Sequence, residues 1–426
     1  MPTFDPAHIR PLFPALAECD EHGQPLIFFD GPGGTQVLQS VIDAMSDYLV
    51  RRNANVHAPF LTSRRTDETL AAAHQALADF LNAPSPDEIV FGPNMTTLTF
   101  ALSRALGRLW QPGDEVIVTR LDHDANVAPW LALQEQGIVV RWWDFDPTDC
   151  TLPLAQLDEL LSPRTRLVAV SGASNAVGTV NPIPAVVERA HAVGAWVFVD
   201  AVHLAPHFPI DVQALGCDFL ACSAYKFYGP HVGVLWGRYE LLDRIPAYKV
   251  RPAEDHPPGK WMTGTQNHEG LAGTTAAIAY LAWLGETYGH DYVKQFPHLR
   301  GRRLALKTGL AVICAYEREL FRYLLEGLQA IPGLTLYGIT EPTRLHERAP
   351  TAAIRFAHLS PQEVSARLAA HGIAAYAGHF YAVHVIERLG LSERGGVLRV
   401  GLSHYNTRHE VDRLLELLED WSFDMA

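Results

Sequence analysis

Residues 195–237 read AWVFVDAVHLAPHFPIDVQALGCDFLACSAYKFYGPHVGVLWG. The three apolar runs in it, AWVFVD, DFLACSA and VGVLWG, are short, rich in β-branched and aromatic residues, and bounded by Gly and Pro, which is the pattern of buried strands. The same alternation of short strand and longer helical pattern extends from about residue 85 to 290 through EIVFG, DEVIVTR, IVVRWWDFD and RLVAVSG. It predicts parallel βαβ units, a mostly parallel central sheet with helices on both faces. Beyond residue 290 the character changes. A long helical region near 291–330 is followed by the strands TAAIRFAH and VLRVGLS and a closing amphipathic helix from about Thr407 to Leu418. The chain of 426 residues exceeds what one compact unit usually holds. We therefore expect an N-terminal segment (1–25), a large α/β domain (26–290) and a smaller C-terminal α+β domain (291–426).

Composition narrows the function classes. A formal charge of −13 argues against nucleic acid or an anionic membrane surface as partner, since both select basic surfaces. No run of about 18 apolar residues is present, and MPTFDPAHIRPLFP lacks the basic segment and apolar run of an export signal, so a cytoplasmic protein is expected. The five cysteines, Cys19, Cys150, Cys217, Cys222 and Cys314, form no CxxC pair and no dense framework. Reduced thiols are expected rather than disulfides or a metal site.

In open α/β sheets ligands bind beyond the carboxyl ends of the strands, so the residues following each strand are the candidates. After EIVFG comes GPNMTTLTF, a turn leading into a helix with Thr96 and Thr97 in its first turn. Free N–H groups and the positive end of the helix dipole suit a phosphate there, although such residues also cap helices in general. After DEVIVTR comes His123, flanked by Asp122 and Asp124; after RLVAVSG comes Asn175, with Gly178 allowing a tight turn; after AWVFV comes Asp200. A carboxylate at the mouth of an apolar sheet is costly unless a cation or donor meets it. Lys226, enclosed between two strands, should be desolvated and hence more often the neutral amine that attacks an aldehyde. Its alternative is a packed stem with the ammonium in water. A phosphate-binding helix start, a stacking ring, a carboxylate and a lysine on neighbouring strand ends are together the parts that pyridoxal 5'-phosphate requires. Asp200 would keep the ring nitrogen protonated, His123 would lie against the ring, and Lys226 would anchor the cofactor as a Schiff base and shuttle the substrate α-proton.

The pieces FFDGPGGTQ, NANVHAP, NMTTLTF, DHDANVAPW, SNAVGTVNPI, VDAVH, SAYKFYGP, GTQN and LRVGLSHYNTRHEVDRL, in this order, resemble fold-type I pyridoxal-phosphate enzymes of the class V aminotransferase group. The resemblance is to their cysteine desulfurase/selenocysteine lyase-like branch and covers nearly the whole chain. It implies phosphate contacts from the backbone near Met95 and Thr96 and from Ser223 and Tyr225, and places Asn175 and His203 near the cofactor's O3'. Asn175 would also lie near the substrate carboxylate, which Arg399 would clamp by its planar fork of donors. It further implies a homodimer acting on a small amino-acid substrate, in which Thr265 contacts the phosphate of the other subunit.

The sequence departs from that branch where a nucleophilic cysteine is expected before the final strand. It reads AGHFYAVH there, with Tyr381 at the cysteine position. A phenol does not readily accept sulfur. Tyr381 either acts as an acid or, the favoured expectation, packs into the vacated space with its hydroxyl paired. His203 and Tyr225 also stand where the branch usually has Gln and His. Three readings follow: a lyase that eliminates a side-chain substituent without a protein persulfide, an aminotransferase or epimerase of the same class, and a non-catalytic pyridoxal-phosphate-binding sulfur-relay partner.

Overall fold

The computed structural model describes residues 3–422. Its central sheet has seven strands in the spatial order 89–92, 233–237, 219–223, 196–200, 165–171, 115–119, 139–143. The last five of these run parallel to one another. Side chains alternate between two cores: Val168, Val170, Val197, Val199 and Leu220 face one helical layer, while Leu167, Ala169, Phe198, Phe219 and Ala221 face the other. That is the period of two expected of strands covered on both sides.

Not every neighbour is parallel. The strand Gly233–Gly237 returns antiparallel to Phe219–Ser223 because the connection at 224–232 is too short for a crossover helix. Ile89–Gly92 is antiparallel to it in turn. Two reversals restore the original direction, so the carboxyl end of Ile89–Gly92 lies on the same edge as the ends of the parallel strands.

A four-stranded antiparallel sheet in the order 376–378, 397–401, 351–356, 334–337 forms the smaller C-terminal layer. Its core takes in Ile27 and Phe29 as well as Leu320, Leu324, Leu328 and Val400. Ile27–Phe28 pairs with Ile373–Ala374, so residues just after the N-terminal segment contribute to the C-terminal unit. The helix Gly301–Ala330 lies wholly beyond the expected boundary at 290, yet Ala305, Leu306, Leu310 and Ile313 pack in the large core and only its second half packs in the small one.

Where that helix crosses His268–Tyr288, glycines set the distance. A methyl group on Gly309 would stand 2.2 Å from the carbonyl oxygen of Leu281, and one on Gly285 would stand 1.8 Å from that of Ala305. Gly309→Val should therefore force the helices apart and destabilise the protein by about 3 kcal/mol, the upper end for overpacked cores. A thermal melt indistinguishable from wild type would show that the crossing can open without loss.

Candidate active site

The strand ends converge on one edge of the sheet. Lys226 is buried there at 8% exposure. Its Nζ donates to the carbonyl of Pro32 and lies 4.8 Å from the centre of the Tyr225 ring. Burial, assisted by the Arg399 guanidinium, lowers its pKa to about 7, against the pull of Asp200 and Asp30. The amine is therefore available in neutral form near pH 7.

Asp200 is also buried, and its Oδ1 accepts the N–H of Val202 at 2.9 Å. Burial raises it to about 6. Behind it sits Asp122, fully buried and accepting from the Thr119 hydroxyl at 2.8 Å. Burial pushes Asp122 up to about 7, and the charge of Asp200 adds to that rise. Two carboxyl groups so enclosed resist ionising together, and Asp200, the lower of the two, ionises first.

His123 accepts the N–H of Ala125 on Nδ1 at 2.9 Å, which leaves the proton of the neutral ring on Nε2. Burial lowers its pKa to about 4, with Lys226 and Arg399 adding to the effect. Its ring faces Tyr381 with centroids 5.4 Å apart and 25° between planes. His203 bonds the Thr351 hydroxyl through Nε2 at 2.9 Å, and burial holds its pKa well below the usual range.

At the neighbouring strand end, the helix Met95–Gly107 begins beside Ser223, whose hydroxyl accepts the N–H of Met95 at 3.1 Å. Asn94 caps the helix by accepting from Thr97, and Thr96 is exposed in the first turn. Gly233 makes this approach possible: a Cβ there would lie 2.3 Å from the carbonyl carbon of Asn94. Met95, Thr96 and Ser223 thus form one cluster, and Tyr225 stacks on His231 nearby in sequence with centroids 5.1 Å apart.

On the opposite wall, Arg399 comes from the strand Val397–Gly401 of the C-terminal sheet. It is 4% exposed, donates through Nη1 to the backbone carbonyl of Asn175 at 2.9 Å, and lies with Cζ 4.1 Å from the centre of the Phe380 ring. Asn175 in turn donates through Nδ2 to the Phe380 carbonyl at 2.9 Å. The structure therefore brings together Lys226, Asp200, His123, Asn175 and Arg399. Thr265 stands exposed on the loop before His268–Tyr288, with no hydrogen bond to any of them among the described residues.

Tyr381 departs from expectation. It is 67% exposed rather than packed, because left-handed backbone at Phe380 (φ 51°) and Tyr381 (φ 58°) turns its ring outward over His123. The sequence reading also passed over Asp30, whose charge acts on both Lys226 and Arg399, and whose Oδ1 is buried without a partner. The one signal was an acid between FF and GPGG.

The sequence model of the family described as Aminotransferase class-V matches residues 27–305 and 302–414. The chain belongs to the class-V aminotransferase family. Among curated members of this class-V group, it is 36% identical over 429 residues to a probable cysteine desulfurase of Mycolicibacterium paratuberculosis, covering 97% of this chain and 58% of that protein. It spans only that part of the longer relative. It is 34% identical over 433 residues to a cysteine desulfurase of Serratia proteamaculans, with 98% of each covered. The apo cysteine desulfurase of Thermococcus onnurineus NA1 superposes with a TM-score of 0.85 at 26% identity over the full length of both chains. This class-V protein is accordingly a pyridoxal 5'-phosphate-dependent, cysteine desulfurase-like enzyme with the fold-type I architecture.

The residues present fit that cofactor. A buried amine of lowered pKa and a buried carboxylate border the same space, and Asn175 Oδ1 and Asp30 Oδ1 are buried acceptors without donors. Such orphaned atoms call for a ligand or water to complete them.

Proposed function

We propose that this enzyme is a lyase that eliminates a side-chain substituent from an amino acid without forming a protein persulfide. The observation that carries the reading is Tyr381, held over His123 on the loop where the family resemblance leads one to expect a cysteine. The thiols of Cys150, Cys217 and Cys222 are buried in the core, and burial pushes the Cys217 thiol up to about 12, so none of these three serves as a ready nucleophile; Cys19 is exposed and Cys314 half-buried, and neither belongs to that loop.

When bound, pyridoxal phosphate supplies an electron sink for the bond broken at the substrate α-carbon. The remaining chemistry falls to the chain's own groups. Lys226 would hold the cofactor, and its Nζ is the base placed to take the substrate α-proton. Asp200 would keep a proton on the ring nitrogen, and His123 would stack on the ring. Met95, Thr96, Ser223 and Tyr225 would bind the phosphate, and Asn175 and His203 would hold O3'. Arg399 fixes the α-carboxylate and so orients the substrate.

Thr265 is assigned to the phosphate of a second subunit. The exposed apolar side chains of Ile42, Leu49 and Val50 on the helix Gln39–Arg51, with Phe60 and Leu61 beyond it, support a homodimer. No described helix is long and apolar enough to cross a membrane. The unpaired cysteines support a cytoplasmic setting.

Product analysis tests the reading. L-Cysteine and related amino acids with a departing β-substituent should yield the free substituent, ammonia and a keto acid, with no mass added to any cysteine peptide. Accumulation of pyridoxamine phosphate would instead make the enzyme an aminotransferase. Loss of optical activity alone would make it an epimerase, and an unchanged mixture would leave a structural binder.

A further inference from the structure

The loop carrying Phe380 and Tyr381 is held in an unfavourable shape. Two adjacent non-glycine residues in the left-handed region are strained, and such strain persists only where the surroundings over-determine it. Here the carbonyl of Phe380 accepts from the Asn175 side chain at 2.9 Å, that of Tyr381 accepts the N–H of Asp124 at 2.7 Å, and the N–H of Tyr381 bonds His379 Nδ1 at 3.1 Å.

These bonds display aromatic rings around the carboxylate-binding arginine. Tyr376 is the direct cross-strand partner of Arg399, so both side chains leave the sheet on one face. Both also lie against Gly33, whose added Cβ would meet the Tyr376 ring at 2.9 Å and Arg399 Nη2 at 3.6 Å. Phe380 covers the guanidinium from another side at 4.1 Å, and Tyr381 continues the wall onto His123. Tyr376 and Tyr381 are 54% and 67% exposed, large apolar surfaces that the fold itself leaves uncovered.

We propose that Tyr376, Phe380 and Tyr381 form the side-chain subsite, and that it selects amino acids with an uncharged aromatic side chain. The proposal rests on the assignment of the α-carboxylate to Arg399. Tyr376 and Phe380 flank that group and Tyr381 extends the wall to His123; the three rings offer stacking faces and bring no ionised group to meet a charged side chain. Rigidity of the strained loop presets the wall, which lessens the ordering needed on binding.

Inert carboxylic acids test this apart from turnover. Isothermal titration of the cofactor-loaded full-length protein with propionate, succinate and 3-phenylpropionate should show 3-phenylpropionate binding at least about tenfold more tightly than the other two. Tyr381→Ala, a change at an exposed position that leaves the core intact, should remove most of that preference, and Tyr381→Phe should retain it. Arg399→Lys should weaken all three acids, reporting on the carboxylate assignment separately. Equal affinity for the three acids, or a preference unchanged in Tyr381→Ala, overturns the subsite. Loss of catalysis without loss of this preference would count against the lyase reading alone.

Discussion

Lys226→Ala should lower turnover by at least about 10⁴-fold, because it removes both the covalent anchor of the cofactor and the base that takes the α-proton. The effect should be visible before any substrate is added. Borohydride treatment of the wild-type protein should fix the cofactor to the chain, and in the variant the cofactor should wash out on dialysis. The pH dependence follows from the pKa of about 7 that burial and Arg399 give this amine. Below it the lysine is an ammonium ion and cannot attack the aldehyde; above it the amine is free. The rate at which cofactor-free protein captures the cofactor should therefore rise from pH 6 to 8 and level off beyond. A capture rate still climbing through pH 9 to 10 would mean that Lys226 keeps its ordinary pKa and reaches solvent. Retention of the borohydride-fixed cofactor in Lys226→Ala would move the anchor to another residue.

The groups on the large sheet were legible in the sequence for a simple reason. Each of His123, Asn175, Asp200 and Lys226 follows a strand that announces itself locally, and parallel strands place their ends together. The antiparallel return at 233–237 was less apparent, since an apolar run does not reveal its direction. The short Gly-Pro connection was the available clue. The opposite wall is a different matter. Arg399 meets Asn175 across 224 positions of sequence, and the contact of Phe380 with Arg399 depends on a loop whose two left-handed residues carry no glycine to mark them. Expectation put Tyr381 inside because aromatic residues usually pack, and the hydrogen bonds from Asn175 and Asp124 that turn this loop outward are tertiary. Asp30 was obscured similarly: its importance lies in the charges near it, Lys226 and Arg399, which come from distant parts of the chain.

Asp200→Asn should cost about three orders of magnitude in kcat/KM. The carboxylate is buried at the floor of the site, where it would hold a proton on the ring nitrogen, and removing one partner of a buried ion pair costs about 3–5 kcal/mol, or roughly 10²- to 10³·⁵-fold. The amide matches the carboxylate in size and can still accept the N–H of Val202, so the loss should fall on chemistry rather than folding. Asp122 supplies an internal check. Its charge and that of Asp200 oppose each other in a fully buried setting, and burial already holds Asp122 near 7 and Asp200 near 6. Because Asp200 ionises first, Asp122 is still neutral as it does so, and Asp122→Asn should leave the ionisation of Asp200 in place. The acid limb of the activity profile, and the matching change in cofactor absorbance, should then stay where they are in wild type, with the plateau largely preserved. If Asp200→Asn leaves kcat/KM within tenfold of wild type, the ring nitrogen does not depend on this carboxylate. An acid limb that moves to lower pH in Asp122→Asn would show that Asp122 already carries charge when Asp200 ionises, reversing their order.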